Sequence, residues 1–108
     1  MKKIVEIDGT KVLLDTDGTN DFLLFSSHNN TGPNQNRWVE LHAHIWKTQD
    51  RKTFYLAHYS QWQGERCYIE EITLDDACRF AQDNYSDASE QERSSFRGYG
   101  LLDEGNYE

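Results

Sequence analysis

Residues 37–62, RWVELHAHIWKTQDRKTFYLAHYSQW, constrain the fold more than any other part of the chain. Apolar and polar residues alternate on both sides of a polar break at 49–52, the pattern of two strands joined by a turn. With Asp50-Arg51 as the turn, Ile45 faces Leu56, Ala43 faces His58 and Val39 faces Trp62. The other side pairs Trp46 with Tyr55, His44 with Ala57, His42 with Tyr59 and Glu40 with Gln61. A one-residue slip would exchange the faces, so the alternation fixes which residues share a side. One side reads as core, and the other as an aromatic surface carrying two histidines.

The flanking segments read as further strands and one helix. Residues 2–7, Asp8-Gly9 and residues 11–15 form a hairpin, because Asp-Gly supplies the positive φ angles of a two-residue turn. Its register sets Glu6 opposite Lys11 and Lys2 opposite Asp15, two opposite-charge pairs. Asp17-Gly18-Thr19 repeats Asp8-Gly9-Thr10, and a third strand over 20–26 makes a meander of 1–27. Residues 28–36, HNNTGPNQN, read as a long polar loop leading to the central strands of 37–73. A sixth strand over 65–72 wants Cys67 and Ile69 on one face and Tyr68 and Ile72 on the other. A bulge near Glu70-Glu71 would reconcile them. Thr73 and Asp76 resemble a capping box, and Leu74, Ala77, Cys78, Ala81 and Tyr85 recur at helical spacing over 74–85. Ser89 to Glu92 can start a short second helix, and 98–108 reads as an acidic tail. The expectation is one α+β domain over 1–108: a single antiparallel sheet of five to six strands, a β-meander, with one main helix packed on it.

At 108 residues the chain supports one modest core. Aromatic residues make up 13% of it, too many for a disordered chain. Two lone cysteines without CxxC spacing point to reduced thiols rather than a disulfide framework. No stretch has signal-peptide or membrane-spanning character, so a cytoplasmic location without membrane contact is expected. The net charge of −8 falls wholly in 65–108, where twelve acidic side chains meet four arginines. That half repels nucleic acid and anionic membrane, and attracts a basic protein surface.

Four motifs bear on chemistry. The run VLLDTDGT, 12–19, resembles the start of haloacid-dehalogenase-type phosphatases, in which Asp15 would be nucleophile and Asp17 general acid. That fold needs alternating strands and helices, and here the first helical pattern begins at Leu74. Asp15, Asp17 and Asp21 cluster oxygen ligands but lack the spacing of a calcium loop. His42 and His44, about 7 Å apart on one strand face, suit a zinc ion if Glu40 or His28 completes the set. Trp46, Tyr55 and Tyr59 beside them have the composition of an interface hot spot. No cofactor motif and no nucleophile with its base occurs, so a non-enzyme is expected.

Three fragments resemble short proteins of mobile genetic elements in Gram-positive bacteria. They are Ile7-Asp8-Gly9 leading into Leu14-Asp15-Thr16, Trp46-Lys47-Thr48 through Phe54-Tyr55-Leu56, and Ile72-Thr73-Leu74-Asp75-Asp76-Ala77. Asp50-Arg51 departs from that pattern, where the turn holds a glycine. The resemblance implies no catalytic residues. It implies an acidic inhibitor of the anti-CRISPR or other anti-defence kind, whose carboxylates stand in for phosphates in a basic channel. The expected contact residues are Glu70, Glu71, Asp75, Asp76 and Asp83, with Trp46, Tyr55 and Tyr59 as a second surface. The expected partner is a protein with a basic surface, such as a nucleic-acid-binding protein. Exposed aromatics and strand edges also allow a homodimer.

Overall fold

A computed structural model describes residues 1–27, 37–47 and 50–102. Strands β1 (Lys2–Ile7) and β2 (Thr10–Asp15) form a two-stranded antiparallel sheet. Strands β3 (Asp21–Ser26), β4 (Arg37–Ile45), β5 (Lys52–Ser60) and β6 (Tyr68–Ile72) form a second sheet in chain order, every pair antiparallel. Helix α1 (Leu74–Asp83), a single 3-10 turn at Tyr85–Asp87 and helix α2 (Glu90–Gly98) follow. The α+β class holds, while the single meander sheet is replaced by two sheets. The expected 28–36 loop lies outside the described residues.

The two DGT triplets explain the split. Asp8 and Gly9 take φ of 52° and 80°, and the β1–β2 register pairs Glu6 with Lys11 and Lys2 with Asp15, as expected. Gly18 is not among the glycines with positive φ. Its amide donates to the Asp15 carbonyl at 2.9 Å, and its own carbonyl accepts from the Asp21 amide at 3.3 Å. The second triplet is therefore a corner rather than a hairpin turn. It carries the chain off β2 and starts β3 against β4.

The central hairpin keeps its expected faces in a different register. His42 lies opposite Tyr55, Leu41 opposite Leu56 and Ala43 opposite Phe54, a displacement of four residues from the expected pairing. An even displacement leaves every side chain on its original face, because side chains alternate with a period of two. The chain reverses earlier than Asp50-Arg51: the Trp46 amide already donates to the Arg51 carbonyl at 2.8 Å. Asp50, with φ of 55°, belongs to the loop.

Each face of the four-stranded sheet is covered. On one side Phe25, Leu41, Ala43 and Phe54 pack with Ala77, Ala81, Phe96, Leu101 and Leu102. Ala77 and Ala81 have no side chain beyond Cβ, which lets α1 lie close to the sheet. On the other side Val12 and Leu14 of the β1–β2 hairpin pack with Trp46, Tyr55 and Ile69. The bulge expected near Glu70-Glu71 is absent from the β5–β6 ladder; an irregularity falls instead between Leu23 and Phe25. With both faces covered, Ile69 joins the hairpin side and Ile72 the helix side without any interruption of the strand.

The short second helix expected from Ser89 forms as α2 after the main helix, and the tail begins later than expected. Thr73 Oγ1 accepts from the Asp76 amide at 3.1 Å. The full capping box is at α2, where Ser89 Oγ accepts from the Glu92 amide and Glu92 Oε1 accepts from the Ser89 amide. Glu92 Oε2 also accepts from the Ser26 amide at 3.0 Å, which ties α2 to β3. At the other end of α2, Leu101 N donates to Phe96 O and Gly100 N to Arg97 O, with Gly100 at φ of 72°. This is the glycine-terminated Schellman reversal, and it turns Leu101 and Leu102 into the core. The loosely held tail expected over 98–108 is thus corrected for residues up to 102; residues 103–108 lie outside the described residues.

Candidate functional site

The aromatic surface of the central hairpin is occupied by the fold itself. Tyr55 is fully buried and Trp46 is 8% exposed, while Tyr59 is partly buried. Trp46 Nε1 donates to Thr53 Oγ1 at 2.8 Å, and the Arg51 guanidinium lies 4.4 Å from the Trp46 ring centroid. Trp38 stacks on Tyr59 and His42 on Tyr55, each pair with centroids 5.2 Å apart. Trp46 and Tyr55 therefore contribute packing, and their expected role as an exposed contact surface is set aside by their burial.

Asp21 is the centre of that buried side. Its side chain is 3% exposed, yet it carries a carboxylate. Oδ2 accepts from the Tyr55 hydroxyl at 2.7 Å and from the Asp15 amide at 3.1 Å; Oδ1 lies 2.8 Å from His44 Nδ1. One side chain thus ties β2, β3, β4 and β5, and three donors compensate its desolvation. Burial, then the hydrogen bond to Asp21, push the Tyr55 phenol far above its ordinary range. Burial also raises Tyr59. Gly18 is required here: a Cβ would stand 2.9 Å from Asp21 Oδ1 and 3.2 Å from the Asp15 carbonyl.

The histidines are paired with carboxylates rather than with one another. His42 Nε2 lies 2.9 Å from Glu40 Oε1, and His58 Nε2 lies 2.9 Å from Glu70 Oε1. His42 Nδ1 is buried with no hydrogen-bond partner. Among the described residues no three His, Cys, Asp or Glu side chains gather as a metal set. His28, considered as a third ligand, lies outside the described residues. In the DxDGT segment, Asp15 Oδ1 accepts from the Asp17 amide at 3.0 Å, an Asx-type turn, and Asp17 extends into solvent with its side chain 90% exposed.

The five acidic residues named from the sequence are all exposed, but they do not form one patch. Asp75, Asp76 and Asp83 lie opposite the Ala77 and Ala81 stripe, on the outer face of α1. Glu70 is held by His58 on the helix side of β6. Glu71 projects to the hairpin side of the sheet, where it lines a cleft with Arg51 and Lys52. The arginines of this half leave the α1 face largely uncompensated. Arg79 reaches Asp76 only at 4.0 Å, whereas Arg93 lies over the Tyr85 ring and Arg97 donates to the Tyr85 hydroxyl. Arg37 and Glu65 form a two-pronged pair on the far end of the sheet, with Ser60 Oγ donating to Glu65 Oε1 at 2.6 Å. The Arg37 hydrogen bonds hold the Glu65 carboxyl below the usual carboxylate range.

Sequence reasoning gave Asp21 no role beyond calcium ligation. The signal was present, because Asp21 and Leu23 share one parity in β3 and that parity faces His44 and His42 across the ladder. Among the described residues no helix is long and apolar enough to cross a membrane. Comparison with protein-family models, curated proteins and solved structures finds no match to this chain.

Proposed function

We propose that this chain is a small acidic, non-catalytic protein-binding module that occupies a basic, nucleic-acid-binding site on a partner protein. The observation that carries this reading is the outer face of α1, where Asp75, Asp76 and Asp83 are exposed and, among the described residues, Arg79 alone approaches them, at 4.0 Å from Asp76. Carboxylates left without counter-cations repel one another, and a basic surface relieves that repulsion. The burial of Trp46 and Tyr55 adds support, since it leaves Tyr59 as the one partly accessible member of the expected aromatic surface. Glu70, on the helix side of β6, adds to the negative field of the α1 face, while Glu71 lies on the opposite side of the sheet.

The test is capture of partners from a native host lysate with the wild-type chain and with a variant carrying Asp75→Lys, Asp76→Lys and Asp83→Lys. The reading expects a nucleic-acid-binding protein to be retained by the wild type, to be released at high salt and to escape the variant. Retention of the same partner by the variant would remove the α1 face from consideration. A parallel variant at Glu70 and Glu71 is expected to weaken capture without abolishing it.

A further inference from the structure

A cleft of about 360 Å³ opens beside the Asp21 centre, lined by Lys11, Leu13, Thr19, Asp21, His44 and Lys47 among others. The lysines and His44 of the cleft hold unspent hydrogen-bonding capacity, while its buried carboxylate, Asp21, is engaged on both oxygens. Asp21 accepts from Tyr55, His44 and the Asp15 amide, and Asp15 Oδ1 accepts from the Asp17 amide. His44 uses Nδ1 on Asp21, and among the described residues no group hydrogen-bonds its Nε2. Lys11 and Lys47 are exposed and make no ion pair among the described residues, although the chain carries a net charge of −8. Lys11 and Lys47 balance Asp15 and Asp21 around the histidine, so the cleft is close to neutral in a molecule of net charge −8.

We propose that this cleft binds a small oxyanion, the phosphate or carboxylate group of a compact ligand, with His44 as its proton-bearing contact. The Asp21 carboxylate has no proton to give, so the short contact to His44 requires an N–H at Nδ1. In the neutral ring Nε2 is then a lone pair. A second proton, taken from solvent, turns Nε2 into a donor toward the cleft, and Asp21 balances the resulting imidazolium. An oxyanion at Nε2 favours that protonated form, so binding and proton uptake are coupled. The charged groups that line the cleft with the ring are Lys11 and Asp15 from β2, Asp21 from β3 and Lys47 just beyond the end of β4. Tyr55 and the Asp15 amide act on it through Asp21. Asp21 is thus a positioning residue, and His44, Lys11 and Lys47 are the contacts.

The test follows the His44 imidazole nitrogen resonances by NMR during separate titrations with inorganic phosphate, acetate and chloride at matched ionic strength. A saturable His44 shift with phosphate, with acetate or with both supports the site and tells which oxyanion it accepts. Movement no larger than that given by chloride overturns it. Calorimetry in two buffers of different ionisation enthalpy is expected to show proton uptake on binding, and Asp21→Asn to reduce that uptake. His44→Gln is expected to abolish it. Should that variant unfold, the double variant Lys11→Met/Lys47→Met decides the matter, since both residues are exposed. It is expected to weaken binding roughly fivefold while the fold is kept, and unchanged affinity in that variant would overturn the proposal.

Discussion

Replacing Tyr55 with phenylalanine removes one oxygen atom from a fully buried ring and leaves its packing against Val12, Leu14 and Trp46 in place. The lost interaction is a 2.7 Å donation to the Asp21 carboxylate. A hydrogen bond to a charged acceptor contributes about 1.5–3 kcal/mol, and the acceptor here stays buried after its donor is gone. For a domain of this size each kcal/mol corresponds to a Tm change of roughly 4–8 °C, so a loss near 2 kcal/mol lowers Tm by roughly 8–16 °C. Urea and thermal unfolding followed by tryptophan fluorescence read the change. The same variant also has an alkaline signature. The folded-state phenol is raised by burial and by Asp21, so above the ordinary phenol range the unfolded chain gives up a proton that the folded chain retains. The stability linked to Tyr55 is therefore fully present below about pH 10 and falls as pH rises, by about 1.4 kcal/mol per pH unit for one proton. Tyr59 and Tyr99 are also raised by burial, so Tyr55→Phe makes the alkaline slope shallower rather than flat. A Tm within roughly 2 °C of wild type, together with an unchanged alkaline slope, would refute the assignment of Asp21 as the tie between the layers.

Three further substitutions probe other parts of the structure. Gly18→Ala drives a Cβ toward Asp21 Oδ1 and the Asp15 carbonyl and is expected to cost about 1–3 kcal/mol in urea unfolding, as overpacking does. Phe96→Ala empties the helix-side core between Phe25 and the Schellman turn and is expected to cost about 3–5 kcal/mol by the same assay. Arg37→Met removes the partner that depresses the Glu65 carboxyl. That pair stabilises above the ordinary carboxylate range and is lost as pH falls through the lowered Glu65 value. The urea midpoints of wild type and variant should therefore differ at neutral pH and converge on acidification below the ordinary carboxylate range.

The parts of the fold legible in the sequence are those set by local chemistry. Asp8-Gly9 carries its own backbone geometry, so the β1–β2 register follows from the residues at the turn. Thr73 as a cap and the Ala77 and Ala81 stripe follow from helical periodicity. Alternation in the central hairpin settles faces but not register, since displacements of two or four residues bury the same side chains. The energy that selects the observed register is partly non-local. Asp21 must meet His44 and Tyr55 at once, and that requires β3 to arrive beside β4. For the same reason the second DGT triplet is a corner where the first is a hairpin turn. Its letters match the first, while its conformation is decided by a carboxylate three residues on. The acidic composition of the C-terminal half was plain from the sequence. Its division into an α1 face, a His58-paired Glu70 and an opposite-facing Glu71 depends on sheet parity and helix phase together.

Competition for a basic site tests the functional account most directly. A captured partner is loaded with a fluorescent oligonucleotide and titrated with this chain while polarisation is recorded. The account predicts that the wild type displaces the oligonucleotide, that displacement weakens with added salt, and that the Asp75→Lys/Asp76→Lys/Asp83→Lys variant fails to displace it. An oligonucleotide that stays bound alongside the wild-type chain, or one displaced equally well by the variant, would contradict it.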